Sequence, residues 1–218
     1  EIAVELDPRD ATEDYIKGIA KAGVNRVSIG VQDFHAEVQE AINRIQPFEV
    51  TKQVIDWLRQ YGITSINMDL MYGLPHQTTE RVIDQVDRAV SLAPERIALF
   101  GYAHVPWMKE HQKMISEADL PGADARWEQS ETASDRLVEL GYVRIGFDHF
   151  AHPDDSLAIA LNNGTLHRNF QGYTADKAST LIGFGASAIS SLPQGYLQNP
   201  LPMKSYTSAI EKAELPVA

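Results

Sequence analysis

Apolar and polar residues alternate with a period of two in four short stretches of the first half of the chain, and apolar residues recur at helical spacing between them. In the first stretch Ile2, Val4 and Leu6 share one side and Ala3, Glu5 and Asp7 the other, until Pro8 stops it. The second, Arg26 to Val31, sets Val27, Ile29 and Val31 against Ser28, Gly30 and Gln32. The third, Thr64 to Met71, has Ile66, Met68 and Leu70 on one face and Asn67 and Asp69 on the other; the fourth is Arg96 to Gly101. Helices are predicted from Glu13 to Ala22 (Thr12 as N-cap, Gly23 as stop), Ala36 to Asn43, Phe48 to Tyr61 (closed by Gly62) and Thr79 to Leu92 (Thr79 as cap, Pro94 beyond the end).

This order predicts βαβ units on a parallel sheet. About four units are too few to close an eight-stranded barrel, so the α/β fold is an open doubly wound sheet or part of a barrel. No glycine-rich dinucleotide fingerprint and no GxxxxGK[ST] loop is present, which argues against the nucleotide-binding open sheets.

After Pro106 the rhythm changes. An amphipathic segment spans Lys109 to Ala118, a long helix Asp124 to Leu140, and a short strand Tyr142 to Ile145. Phe147 to Asp155 reads as a polar and aromatic loop and Ser156 to Asn162 as a helix; Leu166 to Thr174 and a glycine-rich Leu181 to Ser190 follow. From Leu192 onward no element is assigned.

Composition narrows the function classes. The chain of 218 residues is 44% hydrophobic and 22% charged, an ordinary globular balance. Its net charge of −11 argues against nucleic-acid and anionic-membrane partners, both of which reward a basic face. No apolar run reaches the roughly 20 residues of a membrane helix, and no signal-peptide pattern opens the chain. The absence of cysteine removes disulfides, thiolate metal sites and thiol nucleophiles from these residues. Beginning without Met inside a strand, the chain is expected to be a fragment.

Candidate chemistry gathers at the C-terminal ends of the predicted strands, where sites of parallel α/β folds assemble. Glu5, Gln32, Asp69, then Tyr102 and His104, fall there on the same relative face, and Arg44 follows the second strand. A carboxylate within an apolar strand is costly to bury unless something polar meets it; the bland reading is an edge strand with Asp69 in water. The residue types suit a polar small molecule, whose carboxylate Arg44 would pair. Seven histidines invite a metal reading, with Asp69, His104 and His149 as hydrolase ligands. Against it, His149 and His152 stand beside Pro153 in a predicted loop, HExxH is absent, and no metal ligand is assigned. GFGAS at Gly183 to Ser187 does not fit the GxSxG nucleophile elbow. No catalytic residue is assigned.

VELDP (residues 4–8), RVSIGVQDF (26–34), NR (43–44), NMDLMYGLPHQT (67–78) and YAHVP (102–106) together resemble the oxygen-independent coproporphyrinogen III oxidase family. GFDHFAHPDD (146–155), LHRNFQGYT (166–174) and GASAIS (185–190) strengthen the resemblance, which runs from residue 1 to about residue 200. It implies a partial, TIM-barrel-like (β/α)6 barrel of the radical S-adenosylmethionine type with a smaller α+β C-terminal extension. Residues 1–106 would hold strands three to six of that barrel, 107–200 an extension packed on it, and 201–218 a tail.

The chemistry implied is heme biosynthesis in the cytoplasm. A [4Fe–4S] cluster reduces S-adenosylmethionine to a 5′-deoxyadenosyl radical, which abstracts hydrogen from two propionates of coproporphyrinogen III. Loss of carbon dioxide leaves vinyl groups and gives protoporphyrinogen IX. By matching motif the S-adenosylmethionine contacts are Glu5, Gln32, Arg44, Asp69, Ala103 and Ile189. The family's CxxxCxxC cluster motif is absent, so its ligands are expected upstream of residue 1 and the fragment is expected not to turn over. An electron donor is the implied partner, and the protein is expected to be a monomer. Arg144 and Arg168 are candidates for gripping substrate carboxylates. The alternative is a heme-binding, chaperone-like relative without oxidase activity, against which HRNFQGYT argues.

Overall fold

The computed structural model describes residues 1–169 and 171–218; Phe170, inside the HRNFQGYT stretch, lies outside the described residues. The chain divides into two compact units, Glu1–Leu166 and His167–Ala218.

The first unit is built on a sheet whose first four strands are the four alternating stretches: β1 (Ala3–Leu6), β2 (Arg26–Gln32), β3 (Ser65–Tyr72) and β4 (Arg96–Gly101), parallel and in that spatial order. Two further short strands, β5 (Val143–Ile145) and β6 (His149–Ala151), extend it antiparallel in the order β4-β6-β5. The stretch expected to be only loop thus contains a strand. Phe150 and Ala151 are fully buried there, and His149 sits opposite Ala98 of β4.

Helices α1 (Glu13–Lys21), α2 (Ala36–Ala41), α3 (Phe48–Gln60), α4 (Thr79–Ser91), α5 (Ala123–Glu139) and α6 (Ser156–Asn162) complete the unit. The core lies where one sheet face meets helices: Val27, Ile29, Ile66, Met68, Leu70 and Ile97 pack with Ile16 of α1, Val54, Ile55 and Leu58 of α3, Val82 and Val86 of α4, and Leu137 of α5. Each such aliphatic side chain contributes roughly 1.5–3 kcal/mol by leaving water, so this face drives the fold. The cap of α4 is Thr78, one residue before the one expected; its hydroxyl accepts from the Arg81 N–H. The amphipathic segment after Pro106 forms two short 3-10 turns, Glu110–Met114 and Glu117–Asp119.

In the second unit, hairpins β7 (His167–Asn169) with β8 (Gly172–Thr174) and β9 (Ile189–Leu192) with β10 (Gly195–Gln198) precede α7 (Met203–Glu211). Among the described residues this unit buries no large hydrophobic side chain fully; the core residues all belong to the first.

Candidate functional site

The face of the sheet opposite the core carries the polar residues. Register places Glu5, Ser28, Asn67 and Arg96 in one row across β1 to β4, and Gly30, Asp69, Ala98 and His149 in the next. On this face Asp69 meets what a buried carboxylate requires: Asn67 Nδ2 donates to its Oδ1 at 2.8 Å and Ser28 Oγ to its Oδ2 at 3.3 Å. Asn67 Nδ2 also lies 2.8 Å from Ser28 Oγ, which closes a three-residue polar cluster. Burial pushes the Asp69 carboxyl up; the bonds from Asn67 and Ser28 oppose the rise, the Glu5 charge adds to it and His149 offsets it. Asp69 is therefore no edge-strand carboxylate in water. Ser28 and Asn67 were in phase with the site residues, but their role appears only once register brings the two strands together.

Gln32 stands at a break in the ladder, where the β2–β3 register shifts between Gly30 and Gln32. Its φ is +70°, and the Asp33 N–H reaches back to the Val31 carbonyl at 3.0 Å, closing a three-residue turn around it. Bulges of this kind re-aim a side chain at a strand end.

Arg44 folds back onto the same edge. Its Nη1 lies 3.0 Å from Asp7 Oδ2, and its Nη2 donates to the Gly30 carbonyl at 2.8 Å. Asp7 also takes two nitrogens of Arg9, and these bonds hold its carboxyl at about 2. Arg44 is thus neutralised within the protein, and its buried Nε is left without a partner. Asn67 Oδ1 is likewise buried and unpartnered. Unmet buried donors and acceptors are uncommon in folded proteins, and here one of each stands on the residues of this edge. A pocket of about 240 Å³ at the end of β1 is lined by Glu5, Asp7, Asp10 and Tyr15.

Ala103 lies exposed just past β4, its carbonyl held by Gln112 Nε2 at 3.0 Å while Gln112 Oε1 accepts the Val105 N–H. Tyr102 and His104 differ from expectation. The strand has ended at Gly101, so alternation no longer fixes their direction; Tyr102 is buried with Val38 and Leu74, its hydroxyl 3.0 Å from His104 Nδ1. His149 Nδ1 lies 2.7 Å from Asp148, and among the described residues no group of three His, Asp or Glu is placed to hold a metal ion. Arg144 approaches Glu131 at 3.8 Å, and Arg168 lies over the Tyr173 ring at 5.5 Å. Ile189 opens β9 in the second unit, and its part in a site rests on the resemblance alone. Among the described residues no helix is long and apolar enough to cross a membrane.

Comparison with known proteins agrees with this architecture. The model of the radical SAM superfamily matches residues 1–89. The chain is 54% identical along its whole length to an oxygen-independent coproporphyrinogen III oxidase of Bradyrhizobium diazoefficiens, and 50% identical over 216 residues to one of Cereibacter sphaeroides; it covers 48% of each. The structure of coproporphyrinogen III oxidase from Escherichia coli, described as a radical SAM enzyme, superposes with a TM-score of 0.95 at 41% identity, covering all of this chain and 50% of that one. The chain spans about half the length of the curated relatives it matches. By sequence and by fold, the chain is similar to the oxygen-independent coproporphyrinogen III oxidases, and its residues 1–89 to the radical SAM superfamily.

Proposed function

We propose that the full-length protein converts two propionate side chains of coproporphyrinogen III to vinyl groups by oxygen-independent oxidative decarboxylation, giving protoporphyrinogen IX. The observation that carries this reading is identity of up to 54%, along the whole chain, to proteins named for that oxidase activity. It acts in the cytoplasm as a monomer with an electron donor as its partner.

S-adenosylmethionine, when bound and reduced, supplies a 5′-deoxyadenosyl radical for hydrogen abstraction. The residues of the first unit fit the molecule. Its sulfonium and ammonium groups are cations, and Glu5 and Asp69 are carboxylates on adjacent rows of one sheet face. Asn67 Oδ1 is an unmet acceptor and Arg44 Nε an unmet donor on the same edge, suited to the amine and carboxylate of an amino acid. Gln32 and the backbone at Ala103 add the remaining contacts of this unit, and the resemblance adds Ile189. A [4Fe–4S] cluster requires thiolate ligands, and none of these residues is a cysteine, so none of them ligates it.

The test uses the full-length protein reconstituted without oxygen. About four irons and four sulfides per chain, with 5′-deoxyadenosine and carbon dioxide formed from coproporphyrinogen III, are expected. A protein that retains heme and leaves coproporphyrinogen unchanged overturns the proposal in favour of a chaperone-like relative.

A further inference from the structure

Gln32 is held in a conformation that a residue with a side chain seldom adopts. A left-handed φ outside glycine persists only where the surroundings over-determine it. Three glutamines, all distant in sequence from Gln32 and buried beneath it, supply that constraint: Gln77, Gln85 and Gln129 are exposed by 5%, 0% and 1%.

Gln85, on α4, donates from Nε2 to the Gln32 carbonyl at 2.9 Å and to the Met71 carbonyl at 3.3 Å. Its Oε1 accepts from Gln77 Nε2 at 3.1 Å. Gln77 Nε2 also reaches the Met71 carbonyl at 2.9 Å and Asp33 Oδ2 at 2.6 Å, while its Oε1 accepts the Leu74 N–H at 2.8 Å. Gln129, on α5, closes the chain: its Nε2 donates to the Gln77 carbonyl at 3.0 Å and its Oε1 accepts the Gly73 N–H at 3.0 Å. The fully buried Asp33 carboxylate is tied on its other oxygen to the His35 N–H at 2.6 Å and to His35 Nδ1 at 2.9 Å. The exits of β2 and β3 are thereby joined through side-chain amides where strand pairing has ended. These exits follow directly on the two residues, Gln32 and Asp69, that the proposed function sets against S-adenosylmethionine.

We propose that Gln85 and Gln77 are positioning residues for the cofactor: a buried amide clamp that fixes the Gln32 bulge and the β3 exit so that Gln32 and Asp69 face one ligand together. This rests on the proposed function. A glutamine suits the task because one amide both donates and accepts, so a run of them can bridge carbonyls and N–H groups on different strands without burying net charge. A buried network of this kind locks a geometry only while every member is satisfied. Removing Gln85 takes the side-chain donor from the Gln32 carbonyl and one bond each from the Met71 carbonyl and the Gln77 amide.

The experiment compares Gln85→Met with Tyr142→Phe in the anaerobically reconstituted full-length protein, reading S-adenosylmethionine dissociation constants beside urea midpoints. Tyr142→Phe removes a buried bond of comparable kind, to the Pro94 carbonyl at 2.6 Å, at the opposite end of the sheet. Gln85→Met is expected to weaken S-adenosylmethionine binding about tenfold and to raise backbone amide exchange at residues 31–34 and 71–74; Tyr142→Phe is expected to lose stability without losing affinity. Should Gln85→Met fail to fold, Gln129→Met at the far end of the clamp is expected to weaken binding about threefold. Wild-type affinity in a folded clamp variant, or equal loss in Tyr142→Phe, overturns the clamp while the cofactor reading stands. A wild-type protein that binds no S-adenosylmethionine overturns the cofactor reading, and the positioning role with it.

Discussion

The two faces of β3 are made from alternate residues of one strand, and they serve different ends. Ile66, Met68 and Leu70 are completely buried in the apolar core that the strands share with the helices. Asn67 and Asp69, between them, are partly buried and meet hydroxyl, amide and carboxylate. The first face is stabilised by leaving water and asks only for shape and volume. The second is expensive to build, since burial alone pushes Asp69 toward protonation, and it leaves an acceptor on Asn67 unmet. A strand that spends stability on one side has a use for that side. The comparison predicts that substitutions on the two faces separate stability from ligand binding.

The largest expected effect lies on the apolar face. Leu70→Ala empties a site with no solvent access, and a loss of about 2–5 kcal/mol is expected. It should appear in the urea midpoint of the full-length protein, with a smaller loss of S-adenosylmethionine affinity in the folded fraction than Asp69→Asn causes. On the polar face the outcome reverses. Asp69→Asn keeps the shape and removes the charge; S-adenosylmethionine affinity should fall roughly 10- to 100-fold, the worth of one charge-assisted hydrogen bond, with no loss in urea midpoint. If Asp69→Asn costs stability and leaves binding intact, the division between the faces is wrong.

The apolar face was legible because alternation survives burial: the residues at 27, 29 and 31 and at 66, 68 and 70 could be assigned without a partner strand. The polar cluster was half legible. Asp69 stood out as a charge in an apolar strand, but its bond to Ser28 depends on the register of β2 against β3. The glutamine clamp was not legible, since amides at 77, 85 and 129 lie in a loop and on two helices and share no period. Strand β6 escaped notice because three residues between polar neighbours carry too short a pattern. The second unit was least legible. Its hairpins have strands of three or four residues, and the buried large hydrophobics that would stamp a period on its sequence are absent among the described residues.

Gly30 tests the comparison more finely, because it borders the polar face without charge of its own. A methyl group there would meet Gln32 Nε2 at 3.2 Å and Arg44 Nη2 at 3.3 Å, the two long side chains that the bulge and the Asp7 pair aim at this edge. Both must shift by a few tenths of an ångström at a buried position, so Gly30→Ala should cost on the order of 1 kcal/mol of stability. The same shifts displace two proposed ligand contacts, and S-adenosylmethionine affinity is expected to fall about threefold to tenfold. An unchanged affinity would place the ligand elsewhere on the edge.

The smallest effect is a matter of sign with pH. Asp7 is held at about 2 by Arg9, below the ordinary 3.8. Its ionised form therefore stabilises the fold above pH 4, and that contribution is lost as pH falls toward 2. Asp69 is shifted the other way, so over the interval just above 3.8 the folded state holds a proton that the unfolded chain has released. Stability then falls as pH rises through that interval, and below 3.8 both states are protonated and the penalty vanishes. Asp69→Asn should accordingly equal wild type in urea midpoint near pH 3 and exceed it by a margin that grows as pH rises above 3.8. Asp7→Asn should fall below wild type at pH 6 and converge with it near pH 2. Two aspartates two strands apart on one sheet would then titrate with opposite slopes, and the difference is that two guanidinium groups hold one down while burial lifts the other against the weaker pull of Asn67, Ser28 and His149.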